Sequence, residues 1–255
     1  MRTNFLFSAA ALGMALHAQP PQTESAPLRF AAASLKANTS IRNGMGNKFD
    51  PGMARWTNTP LRNLIESAYG LRDYQAAGWP EWLRADKWDI DARTEGPTSY
   101  TQKQQMLQTL IVERFGLKFH REMKDVPGYA LSIAKGGAKL HEVKEGEVSS
   151  NPVGTVVQRG LISGHKVHMM DWVGFLFGEL GCPYEDNTGL KGIYDFKLEW
   201  SPDDGQPNSG GEPGDPNGLS IFAALQDQLG LKLEPKKFPI EMFVIDRIER
   251  LPTAN

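Results

Sequence analysis

The densest grouping of reactive side chains in this chain is "GHKVHMMD", where His165, His168 and Asp171 stand three residues apart. On a helix that spacing puts two imidazoles and a carboxylate on one face, a set able to hold a zinc ion for metal-assisted hydrolysis. The segment straddles a strand-to-helix junction, however. There, His168 or Asp171 serves equally well as a helix cap, with the histidines solvated. No HExxH or CxxC set accompanies the trio, and no cofactor is expected. His120 lies on a strand just after a glycine stop, and Glu234 holds the corresponding place later in the chain; a catalytic base there competes with an ordinary exposed strand residue. Cys182 is the one cysteine, so it has no disulfide partner within the chain. With no basic neighbour in sequence to lower its pKa, it reads as a small buried apolar residue rather than a nucleophile.

A second candidate is aromatic. Tyr69, Tyr74, Trp79, Trp82 and Trp88 fall within about twenty residues, and "WPEW" lies in a connection rather than a strand. Aromatic platforms bind sugars and other flat ligands, and they also fill cores. Tyr74, Trp79 and Trp82 are therefore the candidate ligand-binding residues, and a catalytic set is not assigned. The stretch "EDNTGLKG", from Glu185, lacks the alternating acids of a calcium loop and reads as a turn. The acids Asp203, Asp204, Glu212 and Asp215 belong to a polar insert, where solvation is the ordinary state. Nucleophile-elbow, phosphate-loop and dinucleotide signatures are missing from the sequence.

These residues must be positioned by regular elements, and the periodicity supplies them. "TPLRNLIESAYGL" reads as a helix capped by Thr59, with Leu61, Leu64, Ile65 and Ala68 inward and Gly70 as its stop. A strand follows near 87–93, then a helix over about 101–115 with Met106, Leu107, Leu110 and Ile111 as its stripe. Two strands are expected next, 117–122 and 128–135, separated near Pro127. Ahead of these, 28–38 reads as a weak strand and 39–55 as a loop. The order then restarts. A strand near 161–167 leads into "MMDWVGFLFGELG", with Trp172, Phe175, Leu176 and Glu179 at the spacing of the first helix. "GIYDFKLEW" answers "DKWDIDAR", and "DQLGLKLEPKKF" answers "ERFGLKFHREMK".

The reading is an α+β chain of mostly antiparallel sheet with packed helices, built as an internal duplication of a helix–strand–helix–strand–strand unit. Its halves are 28–140 and 158–252, joined by a connector at 141–157, with a flexible insert at 201–218. Ahead of them, residues 1–18 have the charged start, the short apolar core and the small residues near Ala18 of a cleavable signal peptide, and 19–27 form a linker. The apolar core is about 12 residues, short of the roughly 20 a bilayer span requires. The expected location is periplasmic or secreted, without a transmembrane segment in the mature chain. A formal net charge of −2 argues against nucleic acid as a partner.

The segments "WPEWLRADKWDIDAR", "MLQTLIVERFGLKFHRE", "DNTGLKGIYDFKLEW" and "LQDQLGLKLEPKKFPIEMFVIDRIER" together resemble a soil-associated family of exported proteins, abundant in soil acidobacteria and itself a domain of unknown function. The likeness covers about residues 28–252, although "FAAASLKAN" is plainer than the family's usual first strand. Related domains fused to membrane sensor–peptidase proteins imply an extracytoplasmic sensing or binding role. No catalytic residue is carried over by the resemblance. The function expected is a non-enzymatic binding, sensing or protein-interaction module, with an envelope protein, peptide or glycan as partner. The competing expectation is an extracytoplasmic hydrolase.

Overall fold

The computed structural model describes residues 26–40, 44–76, 78–144, 146–147, 152–202 and 218–253. The expected signal peptide, nearly all of the linker 19–27 and most of the insert 201–218 lie outside the described residues. The chain runs β1 (Ala32–Asn38), β2 (Gly46–Asp50), β3 (Met53–Pro60), α1 (Leu61–Tyr69), a 3-10 turn (Asp73–Ala76), α2 (Trp82–Ala85), β4 (Lys87–Arg93), α3 (Tyr100–Phe115) and β5 (Lys118–Ile133). It continues through β6 (His141–Glu142), β7 (Gly154–Gln158), β8 (Leu161–His168), α4 (Met169–Leu180), β9 (Tyr184–Asp186), β10 (Ile193–Glu199), α5 (Ile221–Ala224), a π-helical turn (Leu225–Leu229) and β11 (Leu231–Arg247). Two four-stranded antiparallel sheets have the orders β1-β4-β3-β2 and β6-β10-β8-β7; a third has the order β11-β5-β9. The fold is mixed helix and sheet, mostly antiparallel.

Each four-stranded sheet makes one lobe by burying one face under helices. In β4 the alternation puts Trp88, Ile90 and Ala92 inward, where they meet Leu61, Leu64, Ile65 and Ala68 of α1 and Leu107, Ile111 and Phe115 of α3. In β10, Tyr194, Phe196 and Leu198 are buried against Trp172, Val173, Leu176 and Phe177 of α4. The stripe expected on α4 is therefore displaced. Phe175 lies roughly 130° around the helix from the centre of the buried face and is 48% exposed. Thr59 does not cap α1 either: it belongs to β3, and Pro60 holds the cap position without a side-chain bond. Within the stretch 39–55, expected as a loop, β2 pairs with the start of β3 as a hairpin. Its first strand, Gly-Asn-Lys-Phe-Asp, lies at the sheet edge with largely exposed side chains, so it carries no apolar alternation to read.

β5 and β11 form a two-stranded antiparallel ribbon, paired without interruption from Leu231↔Ile133 to Ile245↔Phe119. Where separate strands were expected on either side of Pro127, β5 is one continuous strand, and β11 likewise runs unbroken through Pro235 and Pro239. The prolines are tolerated for a geometric reason. Pro127, Pro235 and Pro239 pair with Lys237, Tyr129 and Asp125, so all three fall in pairs of the same parity. Alternate pairs of an antiparallel ladder point their N–H groups away from the partner. Tyr129 belongs to this set, and its N–H donates outward to the Pro183 carbonyl at 3.2 Å.

The ribbon exchanges its ends between the lobes. Leu117, just before β5, and Phe119, at its start, pack in the first core, while Tyr129 and Leu131 pack in the second. β11 does the reverse: Leu231 and Leu233 serve the second core, Phe243 and Ile245 the first. Phe243 is 1% exposed, stacks on Phe119 at 4.1 Å between ring centroids, and meets Tyr69 and Trp79 edge-on or tilted. Phe243→Ala is expected to lower the unfolding free energy by about 3–5 kcal/mol in urea titration. Val112→Ala, on an exposed position of α3, is expected to change it by about 0.5 kcal/mol or less. Equal effects of the two would contradict this account of the first core.

Candidate functional site

The ribbon holds one wall of a cleft on each of its strands. On the β11 side, Gln75 Nε2 donates to the Glu241 carbonyl at 3.0 Å, and Trp79 Nε1 donates to the Phe243 carbonyl at 2.8 Å. These bonds fix the 3-10 turn against the ribbon. On the β5 side, β9 runs parallel through Tyr129↔Tyr184 to Leu131↔Asp186. The approach is close at Gly128, where an added Cβ would come 2.1 Å from the Pro183 carbonyl oxygen. Between the walls lies a cavity of about 200 Å³, lined by Arg72 and Tyr74 from the first lobe and by Gly174, Phe177, Gly178 and Tyr184 from the second.

Its floor is flat because α4 presents glycine there. Gly174 and Gly178 are one helical turn apart on the exposed side of α4. The Phe177 ring stacks on Tyr184 with centroids 4.1 Å apart and planes 8° from parallel. Charge on the first-lobe wall is largely spoken for. Arg62, nearly buried, bonds Glu66 at 2.8 Å and Asp73 at 2.5 Å, and donates to the Asp73 and Ala76 carbonyls. Arg84 reaches the same Asp73 carboxylate at 3.3 Å. Burial pushes the Glu66 carboxyl up, against the pull of Arg62. Burial also raises the Tyr74 hydroxyl, opposed by Arg72, and raises the Cys182 thiol.

Of the three aromatic residues singled out, Tyr74 alone lines this cleft. Trp79 is 9% exposed and belongs to the first core, with Arg62 stacked 5.3 Å from its ring centroid. Trp82 packs half-buried on the same core. The proposed platform of Tyr74, Trp79 and Trp82 is thus not one surface. The turn geometry that exposes "WPEW" in sequence folds both indoles inward, where the Phe243 carbonyl satisfies the Trp79 N–H.

The trio His165, His168 and Asp171 is not gathered either. β8 ends at His168 and α4 begins at Met169, so the three do not share a helical face. Asp171 Oδ2 accepts the His168 backbone N–H at 3.0 Å, as a helix cap. His165 turns to Asp195, Nδ1 to Oδ2 2.9 Å. Among the described residues no group of three or more His, Cys, Asp or Glu is placed to hold a metal ion. His120 pairs with Asp246 at 2.8 Å on the exposed ribbon.

Asp195 has a structural duty. Its Oδ1 accepts the backbone N–H of Lys166 at 2.7 Å, clamping a bulge in β8 where Lys166 has φ 51°. Asp89 does the same for Asn58 in β3, also at φ 51° and 2.7 Å, with Asn38 Nδ2 as a further donor at 2.8 Å. Non-glycine residues rarely adopt this backbone region, so the carboxylate offsets a local cost.

The cleft residues that sequence reasoning missed are Arg72, Gly174, Phe177, Gly178 and Tyr184. The available signal was "GFLFG", two glycines one turn apart in an otherwise apolar helix, where glycine costs stability unless close approach or open space is needed.

The outline is that of a two-lobed, ribbon-tied α+β protein with an apolar cleft between the lobes. Over residues 62–248, from α1 to the end of β11, the chain matches the family described as Protein of unknown function (DUF3738), and it belongs to that family. No curated protein and no solved structure matches it.

Two outcomes follow from this geometry. Asp195→Ala removes two hydrogen bonds to a charged acceptor and is expected to cost about 2–3 kcal/mol in denaturant unfolding. Lys197→Ala, which removes the exposed pair with Glu199, is expected to cost under about 1 kcal/mol; matching losses would deny Asp195 its clamp role. Because burial raises the folded Cys182 pKa above its unfolded value, its contribution to stability is intact below the unfolded pKa. It is lost as pH rises through the folded one. At about pH 8.5, the ordinary thiol midpoint, iodoacetamide is expected to alkylate native Cys182 more slowly than the urea-unfolded chain, and equal rates would contradict the burial.

Proposed function

We propose that this protein is a non-enzymatic extracytoplasmic module for binding or sensing, whose ligand enters the cleft between its two lobes. The observation that carries the reading is the cleft itself: aromatic and glycine-floored, contributed by both lobes, with no gathered acid–base pair inside it. Export rests on the pattern of residues 1–18, and the soil-associated, acidobacterial setting on the resemblance. Among the described residues no helix is long and apolar enough to cross a membrane.

We read the lobes as an internal duplication, with halves near 28–140 and 158–252, the second sheet drawing β6 and most of β7 from the segment 141–157 expected as a connector. Several observations support it. The sheets β1-β4-β3-β2 and β6-β10-β8-β7 follow the same relative chain order. Each carries an aspartate-clamped bulge at a matching strand. Gly116 and Gly230 stop the last helical segment of each half in the left-handed conformation. Asp125 and Pro239, each nine residues beyond its glycine, pair with one another in the ribbon, as a local two-fold relation requires. A cleft between like halves is a frequent ligand site.

The hydrolase reading rests on the His165–Asp195 pair, the arrangement that orients a general base. Its Nε2 is buried and without a partner, so no substrate proton reaches it in this conformation, and the binding reading takes precedence.

A thermal-shift panel of cell-wall fragments, oligosaccharides and short peptides tests the cleft when run on the wild type beside Gly178→Leu. A Cβ at Gly178 meets nothing within 4 Å, so the larger side chain enters open space rather than the core. A ligand at 100 times its dissociation constant stabilises by about 2.7 kcal/mol, a shift of a few degrees. That shift is expected to vanish in Gly178→Leu. A shift that persists in the variant places the ligand elsewhere and removes the cleft from the account.

A further inference from the structure

The chemical character of the cleft narrows what it holds, an inference that rests on the cleft being the binding site. We propose that the cleft takes a small aromatic carboxylate: one planar apolar ring bearing a single anionic end.

The ring is selected by shape. Phe177 and Tyr184 form a stacked pair at one side. The glycine floor of Gly174 and Gly178 offers backbone and no side chains, against which a flat group lies flush. A volume of about 200 Å³ fits one ring with a short polar arm better than a sugar chain or a peptide.

The anion is selected by Arg72, the cation that lines the cavity. Among the described residues no carboxylate lies within ion-pair range of it. The neighbouring Asp73 carboxylate is held by Arg62 and Arg84, leaving little negative charge to offset Arg72. Arg72, Tyr74, Cys182 and Tyr184 all line the cavity, so two phenols, a thiol and a guanidinium border one space. The Tyr74 hydroxyl and the Cys182 thiol each carry a proton to donate. Guanidinium with phenol donors matches a carboxylate, the fork meeting both oxygens.

The test is calorimetric titration of the mature chain with phenylacetate, phenylacetamide and the dipeptide Gly-Phe, repeated with Arg72→Gln and Gly178→Leu. Arg72 is exposed and unpaired, so the glutamine variant is expected to fold as the wild type does. Phenylacetate is expected to bind about tenfold or more tightly than phenylacetamide, the margin of one charge-assisted pair. In Arg72→Gln the two should come within about twofold of each other while the amide is unchanged, and Gly178→Leu should abolish both. Equal binding of acid and amide in the wild type, or a preference that survives Arg72→Gln, overturns the anionic class and leaves the cleft in place. Tighter binding of Gly-Phe overturns the small-molecule occupant in favour of a peptide end. No binding of any of the three, or binding indifferent to Gly178→Leu, overturns the cleft reading together with the proposal.

Discussion

Everything else in the structure hangs on the pairing of β5 with β11. An isolated two-stranded ribbon is marginal in water, because it lacks a face to bury. This one is stable because each end is driven into a hydrophobic core, and each strand serves both cores in turn. Phe243 arrives in the first lobe from the last strand of the chain; Leu131 reaches the second lobe from the middle of the chain. Neither lobe's sheet and helices close their core alone: Phe243 completes the first and Leu131 the second. A ribbon pinned in this way also sets the distance between the walls of the cleft, since the 3-10 turn hangs from β11 and β9 from β5.

The same constraint explains the distribution of special residues. The three ribbon prolines share one parity, so the ladder keeps its bonds while proline limits the freedom of the unfolded chain. Gly128 stands where the ribbon and β9 meet most closely. The cleft glycines on α4 answer a different need: they leave space rather than permit contact. Arg62, by satisfying Glu66, Asp73 and two carbonyls from a buried position, keeps the first-lobe wall rigid. That leaves Arg72 as the charge at the cavity mouth.

Much of the fold was legible in the sequence wherever one face of an element is buried. The alternation of Trp88, Ile90 and Ala92 and the stripe of Leu61, Leu64, Ile65 and Ala68 both follow from their periods. Edge strands were not legible: β2, β6 and β7 pair by backbone, and their side chains are largely exposed. The ribbon was read as broken strands because proline is a breaker on average, and its parity becomes visible only once the register is known. The candidate site was legible only through Tyr74. Trp79 was drawn into the core by Phe243, a residue far along the chain, and that pairing depends on tertiary structure alone; Trp82 packs half-buried on the same core. The histidine trio is not gathered because three-residue spacing means a shared face only within a single helix, and the strand-to-helix junction noted in the sequence falls between His168 and Met169.

The most direct measurement of the central claim is differential scanning calorimetry of the protein. If exchanged strand ends make the two lobes one unit, unfolding is a single transition whose calorimetric and van't Hoff enthalpies agree. Two resolved transitions, or a calorimetric enthalpy well above the van't Hoff value, would mean that the lobes unfold independently. The ribbon would then not fix the cleft between them.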